Sequence, residues 1–463
     1  MTDPLEALRG ILQDGAWLVG GALRDRLLGR PTTDFDVAVQ GEPRSVAQTL
    51  ARAAKGHAFE LSEAFGAWRV VARDHRWQLD VLPVAGGSIE ADLAARDFTV
   101  NALAEPLGGG AVIDPFGGLE DLRLRRLRIV SAGAFEKDAL RTLRLARLSC
   151  ELGFEVEPET AKVASKHARG LAAVAPERIF AELKRIVSAD RALDGLAQMD
   201  ALAITDVVLP ELGALRGIEQ SRFHHLDVYE HTRAVLVEAI ALEREASSAL
   251  GAQGAVAARL LSEPLADELT RWGALRFGAL FHDIAKPQTR GVTAEGRVTF
   301  IGHDEAGATV AAEVLARLRA SDRLCRHVAA LTRHHLRLGF LVHQAPLDRR
   351  AVYHYLRETD PVQVDVTVLS VADRLATRGS RSEGAIAKHL ELAQELLGDA
   401  FAWLEDPPRP PLRGDELARA LGLRPSPQIG RILRQLEEAS FAGEIRTREQ
   451  ALEAARELIG SER

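Results

Sequence analysis

Two periodicities share the chain, and the change from one to the other divides it. Near the start, apolar positions come in short runs or at every second residue. Trp17-Leu18-Val19 is an apolar run closed by Gly20-Gly21, and Ala22 to Leu28 then opens a helix. Asp34-Phe35-Asp36-Val37-Ala38-Val39 alternates as a strand does, so Phe35, Val37 and Val39 share one face, towards a core, while Asp34 and Asp36 share the other. Residues 1–14 and Pro43 to Lys55 carry helical spacing; Ala67 to Ala72 and Trp77 to Leu82 read as strands paired across the polar turn Arg73-Asp74-His75-Arg76. Beyond about residue 121 the helical period takes over. Leu122 to Arg128 is an exception, since leucine alternating with arginine predicts a strand with one basic face. Phe135 to Arg147 reads as one helix, and Pro176 before the acidic Glu177 starts another. Arg244 to Thr270, rich in Ala, Gly and Ser, predicts an insertion loop. Pro407-Pro408-Arg409-Pro410-Pro411 predicts a stiff linker, followed by amphipathic helices over Gly414 to Leu421 and Pro427 to Glu438, the second with Ser426 as N-cap. The fold class is therefore α+β, a head with a small mixed sheet followed by a long all-α remainder.

Composition narrows this picture. At 463 residues several domains are expected, and 46% hydrophobic residues supply ample core. A net charge of -7 argues against a generally basic nucleic-acid coat, although a local basic patch can still hold RNA. The two cysteines, Cys150 and Cys325, have no CxxC spacing, which argues against a disulfide framework or zinc knuckle. No apolar run of about eighteen residues and no signal-peptide form appear, so a soluble cytoplasmic protein without a membrane partner is expected.

Candidate chemistry begins at the glycine pair. Gly20 and Gly21 let the backbone turn tightly and approach a ligand closely. The first amides of the following helix attract anions. Arg24, beside Asp25, can fork two donors onto phosphate oxygens. Asp34 and Asp36 form an open carboxylate pair suited to Mg²⁺ alongside phosphates. Taken singly, these are a turn, a helix-start charge pair and a solvated strand face; in this order and spacing they describe nucleotidyl transfer assisted by two metals. Asp80 either completes a catalytic triad with Asp34 and Asp36 or is a solvated strand acid. Further on, Asp138, Arg141 and Arg144 recur every three residues. They form either an exposed salt-bridged face or a reader of base edges, in which a carboxylate accepts from an exocyclic amino group and a guanidinium donates to a ring nitrogen or carbonyl. That pairing suits C and A, not U and G.

The run Gly20-Gly21-Ala22-Leu23-Arg24-Asp25 followed by Asp34-Phe35-Asp36 resembles the first motif of the class II nucleotidyltransferases, the family of tRNA 3′-end (CCA-type) enzymes and bacterial poly(A) polymerases. Ala95 to Ala102 resembles the second motif, RRDFTxNA, with Ala95 in place of its first arginine. The resemblance implies that Arg96 contacts the triphosphate or its sugar, and that Asp97 and Asn101 bond ribose hydroxyls or brace the loop. Asp114 to Leu122 resembles DPFGGxxDL, a stiff turn between head and neck. Lys137-Asp138-Ala139-Leu140-Arg141 resembles EDxxR, with Lys137 in place of the glutamate. Asp138 and Arg141 are then the base-reading pair, and Arg144 a further nucleotide contact. Glu177 to Leu183 resembles ERIxxEL, a brace for that helix, and Pro427-Gln428-Ile429-Gly430 a turn of a C-terminal helical unit that touches the tRNA elbow or packs on the preceding region. Together these imply a polymerase-β-like head over 1–120, a neck over 121–220, Mg²⁺ at Asp34 and Asp36, CTP and/or ATP as substrates and the tRNA 3′ acceptor end as partner.

Between about 221 and 380 histidines concentrate. His231, His282-Asp283, His303, His334-His335 and Asp373, separated by apolar helical runs, suit a divalent transition metal. The set resembles the HD phosphohydrolase domain, which also implies that Lys286 can meet a substrate phosphate. His224, His225, His343, His354 and His389 read as surface or structural residues, and 381–463 as a C-terminal helical tail, a candidate tRNA contact. The motif residues do not separate CCA-, CC- and A-adding members or a poly(A) polymerase. One length does: Val84 to Ala91 passes directly from a strand to a helix, where CCA- and A-adding relatives carry a longer loop. CC addition is therefore favoured, with a separate enzyme supplying the final A, and an HD-domain phosphohydrolase is the alternative from another class.

Overall fold

The computed structural model describes residues 4–12, 15–62, 66–220, 226–377, 382–424 and 426–461; His224 and His225 lie outside them. The chain divides into two compact units, Met1–Val208 and Leu209–Arg463, so the break falls before residue 220, the boundary expected between neck and HD region.

The first unit is built on one six-stranded sheet. Its strands are β1 (Ala16–Val19), β2 (Asp34–Val39), β3 (His57–Ser62), β4 (Ala67–Val71), β5 (Gln78–Pro83) and β6 (Ala104–Pro106), in the order β3-β4-β5-β2-β1-β6. β2 and β5 run parallel and the other neighbours antiparallel. The alternation read in β2 decides which face is buried: Phe35, Val37, Leu79, Val81 and Val70 are buried on the side where helix Pro43–Ala53 packs against β3, β4 and β5. On the other face, Val19, Ala38 and Ala104 form a cluster with Ile89 and Leu93 of the short helix Ile89–Ala94. That helix covers only part of the face and leaves the start of β2 open, with Asp34 exposed and Asp36 half-buried.

Three local expectations for this unit are corrected. Leu122–Arg128 is not a strand. Asp114 accepts from the amides of Gly118 (2.7 Å) and Leu119 (2.9 Å), which starts a helix over Gly118–Arg123 and leaves only Arg126–Leu127 extended. The arginines of that stretch are not a free basic face, since Arg126 and Arg128 both donate to the fully buried Asp121, which also accepts from Thr99 at 2.6 Å. Phe135–Arg147 is not one helix either. It breaks at Asp138, with Ala134–Lys137 before the break and Leu140–Leu152 after it. Asp138 spends one carboxylate oxygen on the Leu140 amide (3.1 Å), which ends one helix and begins the next. Leu140–Leu152 packs against Pro176–Ser188 and Ala192–Ala201.

The second unit is helical. Val228–Arg244, Arg271–Phe281 and Gln363–Ala376 pack on one another, and His303–Arg317 pairs with Asp322–His334. Arg244 to Thr270 is structured rather than an insertion loop. Helices Ser247–Leu250 and Gly254–Leu261 bury Ala249, Leu250, Ala257 and Leu261, so its small residues serve close packing. Helix Ser382–Glu405, assigned to the tail by sequence, packs against Gln363–Ala376. The three helices beyond the prolines, Gly414–Leu421, Pro427–Phe441 and Arg448–Ser461, share a small core around Leu417, Ile432, Leu436, Ala451 and Ala455. The Pro427-Gln428-Ile429-Gly430 stretch lies inside a helix rather than in a turn, and Ser426, though at the N-cap position, makes no side-chain capping bond. Tyr353 donates to Glu437 at 2.8 Å and Arg350 to Glu438 at 2.6 Å, joining these helices to Arg349–Glu358. Among the described residues no helix is long and apolar enough to cross a membrane.

Candidate active site and metal centre

In the head, β1 ends at Val19 and helix Gly20–Leu27 begins at once, with Gly20 at φ +70°. A Cβ on Gly20 would come within 2.8 Å of Arg96 Nη1 and 3.1 Å of Asp36 Oδ2. The turn therefore needs glycine twice over, for its left-handed backbone and for the side chains that crowd it. Arg96 is aimed there by Asp92, whose Oδ2 accepts from Arg96 Nε at 3.1 Å and Nη2 at 3.0 Å. Glycine turn, Arg96 and Asp36 are thus brought together from three separate stretches of sequence.

The acid pair is asymmetric. Burial pushes the Asp36 carboxyl up to about 6, Arg96 works against this, and Asp80 and Asp34 add to it. A partly buried carboxyl held up by its acidic neighbours has its charge stabilised when a cation binds, and an open pair of oxygen donors fits a divalent ion that keeps most of its water. Asp80 lies directly opposite Asp36 across the parallel β2–β5 pair, as a triad would need. It is engaged elsewhere, however: Arg69 donates to it from Nε at 2.7 Å and Nη2 at 2.8 Å.

The remaining head and neck candidates form a chain of polar contacts. Arg24 bonds Asp25 through Nε and Nη2, both at 2.9 Å, and reaches Asn101 Oδ1 with Nη1 at 2.7 Å. Asn101 donates to Asp97 (3.0 Å), Asp97 also accepts from Arg144 (3.0 Å), and Arg144 reaches Glu182 at 3.3 Å. Burial works to raise the Asp97 carboxyl, but Arg144 with the Asn101 and Phe98 hydrogen bonds holds it below the usual carboxylate range. These groups satisfy one another, so Asp97 and Asn101 are tied into a polar network with Arg24 and Arg144. Gly21 sits above Arg24, 3.5 Å from its Nη2 to an ideal Cβ. At the proposed base reader, Arg141 Nη2 donates to the Ala95 carbonyl at 2.8 Å and Nη1 lies 3.3 Å from the Arg96 carbonyl, while Asp138 accepts from Arg178 at 2.8 Å. Asp138 and Arg141 are both half-buried.

In the second unit, His231 comes from Val228–Arg244, His282 and Asp283 from the end of Arg271–Phe281, His303 from the first turn of His303–Arg317, His335 from just past Asp322–His334 and Asp373 from Gln363–Ala376. They converge on Asp283: His282 Nε2 is 3.1 Å and His231 Nε2 3.8 Å from its Oδ2, and His303 Nε2 is 3.2 Å and His335 Nε2 3.8 Å from its Oδ1. His231 Nε2 also lies 3.0 Å from Asp373. In three of the four rings Nδ1 faces a backbone carbonyl: Ala279 for His282 (2.8 Å), Phe300 for His303 (2.6 Å) and Thr332 for His335 (2.6 Å). That contact keeps the proton on Nδ1 and turns the Nε2 lone pair inward. The Nε2 atoms of His282 and His303 are buried without a hydrogen-bond partner, so lone pairs and a carboxylate face each other. Burial works against a charge on His282, but Asp283 outweighs it and raises that imidazole above its ordinary value; a proton there or a bound cation relieves the arrangement. Among the described residues, two groups that could hold a metal ion, His231-His282-Asp283 and Asp283-His303-His335, share Asp283. His334 is not among them and is half-buried. Lys286 donates to Asp283 at 2.6 Å and to Gln220 at 2.7 Å. A cavity of about 360 Å³ opens on the cluster, and His389 and His343 line it. His389 is buried rather than superficial, with Nε2 3.2 Å from Ser370 Oγ.

Sequence reasoning missed Arg69, Asp92, Asp121, Gln220 and His389. Arg69 and Asp92 left readable signals: alternation in Ala67–Val71 puts Arg69 on the Asp80 side once those strands are paired in register, and Asp92 stands four residues before Arg96.

Three family models match: "Poly A polymerase head domain" over residues 16–85 and 71–128, "Probable RNA and SrmB- binding site of polymerase A" over 153–215, and "HD domain" over 228–378. The chain is 36% identical over 443 residues to the A-adding tRNA nucleotidyltransferase of Deinococcus radiodurans, covering 94% of each protein. It is 36% identical over 444 residues to the CC-adding tRNA nucleotidyltransferase of Thermus thermophilus, covering 94% of this chain and 92% of that one. Among solved structures, the Thermotoga maritima CCA-adding enzyme complexed with tRNA superposes with a TM-score of 0.61 at 18% identity, covering 98% of this chain and 94% of that one.

Proposed function

The chain belongs to the class II, CCA-type tRNA nucleotidyltransferases that carry an HD domain, and on that premise we propose that it adds cytidines from CTP to the 3′ acceptor end of tRNA and stops before the final adenosine. Asp34 and Asp36 would hold Mg²⁺; when bound, the ion neutralises charge on the triphosphate and the attacking hydroxyl. The amides at Gly20 and Gly21 and the guanidinium of Arg96 receive the triphosphate, and Asp138 and Arg141 read the edge of the base.

The observation that carries the cytidine reading is the short link between β5 and helix Ile89–Ala94. β5 ends at Pro83 and the helix begins at Ile89; the link is pinned by the Ala85 amide on Asp92 Oδ1 at 3.2 Å. Arg141 is fixed to the Ala95 carbonyl just beyond that helix. A base reader so tethered, with no long loop to reshape it, has one setting and adds one kind of nucleotide. A-adding and CC-adding relatives stand at equal identity, so the support for this reading comes from the link and not from kinship. The deciding assay supplies purified protein with tRNA lacking its CCA end and each labelled nucleotide singly, then CTP and ATP together, and sequences the products. Two cytidines and no adenosine are expected. Adenosine on the same acceptor would make the chain CCA-adding, and adenosine only on an acceptor ending in CC would make it A-adding.

The HD cluster supports a second site. Inward-facing Nε2 donors around Asp283 favour a divalent transition metal over Mg²⁺, and the adjoining cavity suits a metal-dependent phosphoesterase. Release of phosphate from nucleotide phosphoesters, lost in Asp283→Ala and kept in Asp36→Ala, tests it. A cytoplasmic setting, where tRNA and nucleoside triphosphates meet, and a partner enzyme for the last adenosine complete the proposal.

A further inference from the structure

Strand register extends the open face well beyond the acid pair. Asp36 pairs with Asp80, Asp80 with Arg69 and Arg69 with Phe59, so four side chains from β2, β5, β4 and β3 form one row across the sheet. Directly opposed residues in neighbouring strands point to the same face. At about 5 Å per strand, Arg69 lies roughly 10 Å and Phe59 roughly 15 Å from Asp36. Three features of this row are unexplained by nucleotide binding. Phe59 is 47% exposed and Leu61, two residues on in the same edge strand, 42%. Arg69 spends Nε and Nη2 on Asp80, and no hydrogen bond to Nη1 is present among the described residues. Asp80 is held by that arginine rather than left open for a metal.

The nucleotide's place is taken on the opposite side of Asp36. The glycine turn, Arg96 and the carbonyl-bound Arg141 all lie towards β1 and helix Ile89–Ala94. The attacking 3′-hydroxyl has to reach the acid pair from the remaining direction, across β5, β4 and β3. We propose that this stretch seats the last nucleotides of the acceptor RNA: Arg69 Nη1 donates to a backbone phosphate, Phe59 stacks on an unpaired base, and Asp80 is a positioning residue that fixes Arg69. The chemistry fits single-stranded RNA, which is held by cationic donors along the backbone and aromatic faces under the bases. It fits a docked protein strand poorly, since a charged pair continuous with the catalytic acids lies beside the apolar edge. The proposal rests on the chain being an RNA nucleotidyltransferase, not on which base it adds.

The test measures KM for tRNA lacking its CCA end and KM for the incoming nucleotide, using whichever nucleotide the full-length protein incorporates. A failure of the cytidine reading therefore leaves the comparison intact. Phe59→Ala should raise the tRNA KM about tenfold, within the range of one lost stack, leave the nucleotide KM unchanged, and be rescued by Phe59→Trp. Arg69→Met should raise the tRNA KM and lower the salt slope of tRNA binding by about 0.7, as expected for one lost phosphate contact on a single strand. Asp80→Asn should raise the tRNA KM without raising the Mg²⁺ concentration for half-maximal rate. An unchanged tRNA KM in Phe59→Ala, or an equal rise in both KM values, overturns the proposal. A raised Mg²⁺ requirement in Asp80→Asn overturns the role given to Asp80 and restores it to the metal site. Phe59 lies at an exposed edge, so its variants read the proposal even if Arg69→Met fails to fold.

Discussion

The two acid-bearing sites of this molecule are built on opposite principles. In the head, two carboxylates sit at the open end of a strand, and the groups around them come from a turn, a loop and a neighbouring strand. In the second unit, four imidazoles and Asp283 are buried with Asp373 half-buried beside them, and three of the rings are locked by backbone carbonyls three residues before them. An open pair of oxygens binds a cation weakly and shares it with substrate phosphates. A closed set of oriented nitrogens holds a resident ion. The first arrangement suits a site whose metal arrives with each nucleotide, and the second a site whose metal belongs to the fold.

The harshest way to break this contrast is Asp36→Ala. Labelled CTP incorporation should fall by roughly 10³-fold or more, since several kcal/mol of charge stabilisation vanish with the ligand. Metal retained after gel filtration, measured by elemental analysis, should not change. Full incorporation by this variant would remove the acid pair from the chemistry. The mirror experiment is Asp283→Ala: it removes the carboxylate common to both ligand groups, so retained metal should drop to background while cytidine incorporation stays within about twofold, the two sites lying in separate compact units. Loss of both properties together would show that the sites are not independent.

A subtler contrast lies between two carboxylates within the first unit. Asp36 is pushed up to about 6 from an ordinary 3.8, so the folded protein binds a proton more readily there than the unfolded chain does. The ionised group therefore costs stability above pH 6, and the cost fades as pH falls towards 4. The difference corresponds to roughly 3 kcal/mol at full weight, and solvent at the open edge reduces it to roughly 1–2 kcal/mol. With a chelator present, Asp36→Asn should raise Tm by a few degrees at pH 7.5 and by nothing near pH 4. Asp97 runs the other way: its carboxyl is held low by Arg144, so its stabilisation is present at neutral pH and is lost as pH falls through its lowered folded value. Thermal melts of Asp36→Asn and Asp97→Asn should thus move in opposite directions at pH 7.5; movement in the same direction would refute the electrostatic account of one of them.

What the sequence disclosed follows from how far each signal reaches. The alternation of Asp34 to Val39 assigned two faces correctly because period two is a local property. The all-α remainder was legible from helical spacing, and convergence of most HD residues from their clustering. Tertiary partners were not legible. Asp121 reads as one more acid in a charged stretch until Thr99, Arg126 and Arg128 close on it. The break at Asp138 was hidden because flanking residues kept helical spacing while a side chain took over the Leu140 amide. The Arg244 to Thr270 stretch misled because small residues mark a loose loop and a tight helix contact alike. His389 sits about a hundred residues beyond the His282-Asp283 pair, on a helix with no motif of its own.

The finest division in the comparison separates two adjacent histidines. By sequence His334 and His335 are equivalent candidates. A helix turns about 100° per residue, so two neighbours at the end of Asp322–His334 cannot both face one point. His335 points inward, its Nδ1 2.6 Å from the Thr332 carbonyl and its ring packed edge-on against His282 and His303. Burial, then His282, pushes it down to about 4, which leaves its Nε2 lone pair available as a ligand across the physiological range. Burial, then Arg337 and Arg333 beside it, lowers the value of His334, and it belongs to neither candidate ligand group. His335→Ala should therefore weaken metal retention by at least about 10–100-fold, the range for losing a group that merely orients a ligand. His334→Ala should leave both metal content and nucleotide incorporation at the level of the parent protein. Competition of the protein with a chromophoric chelator measures both variants on one scale. Equal weakening by the two would mean that the helix end is turned differently and that the buried ring set is not the ligand set.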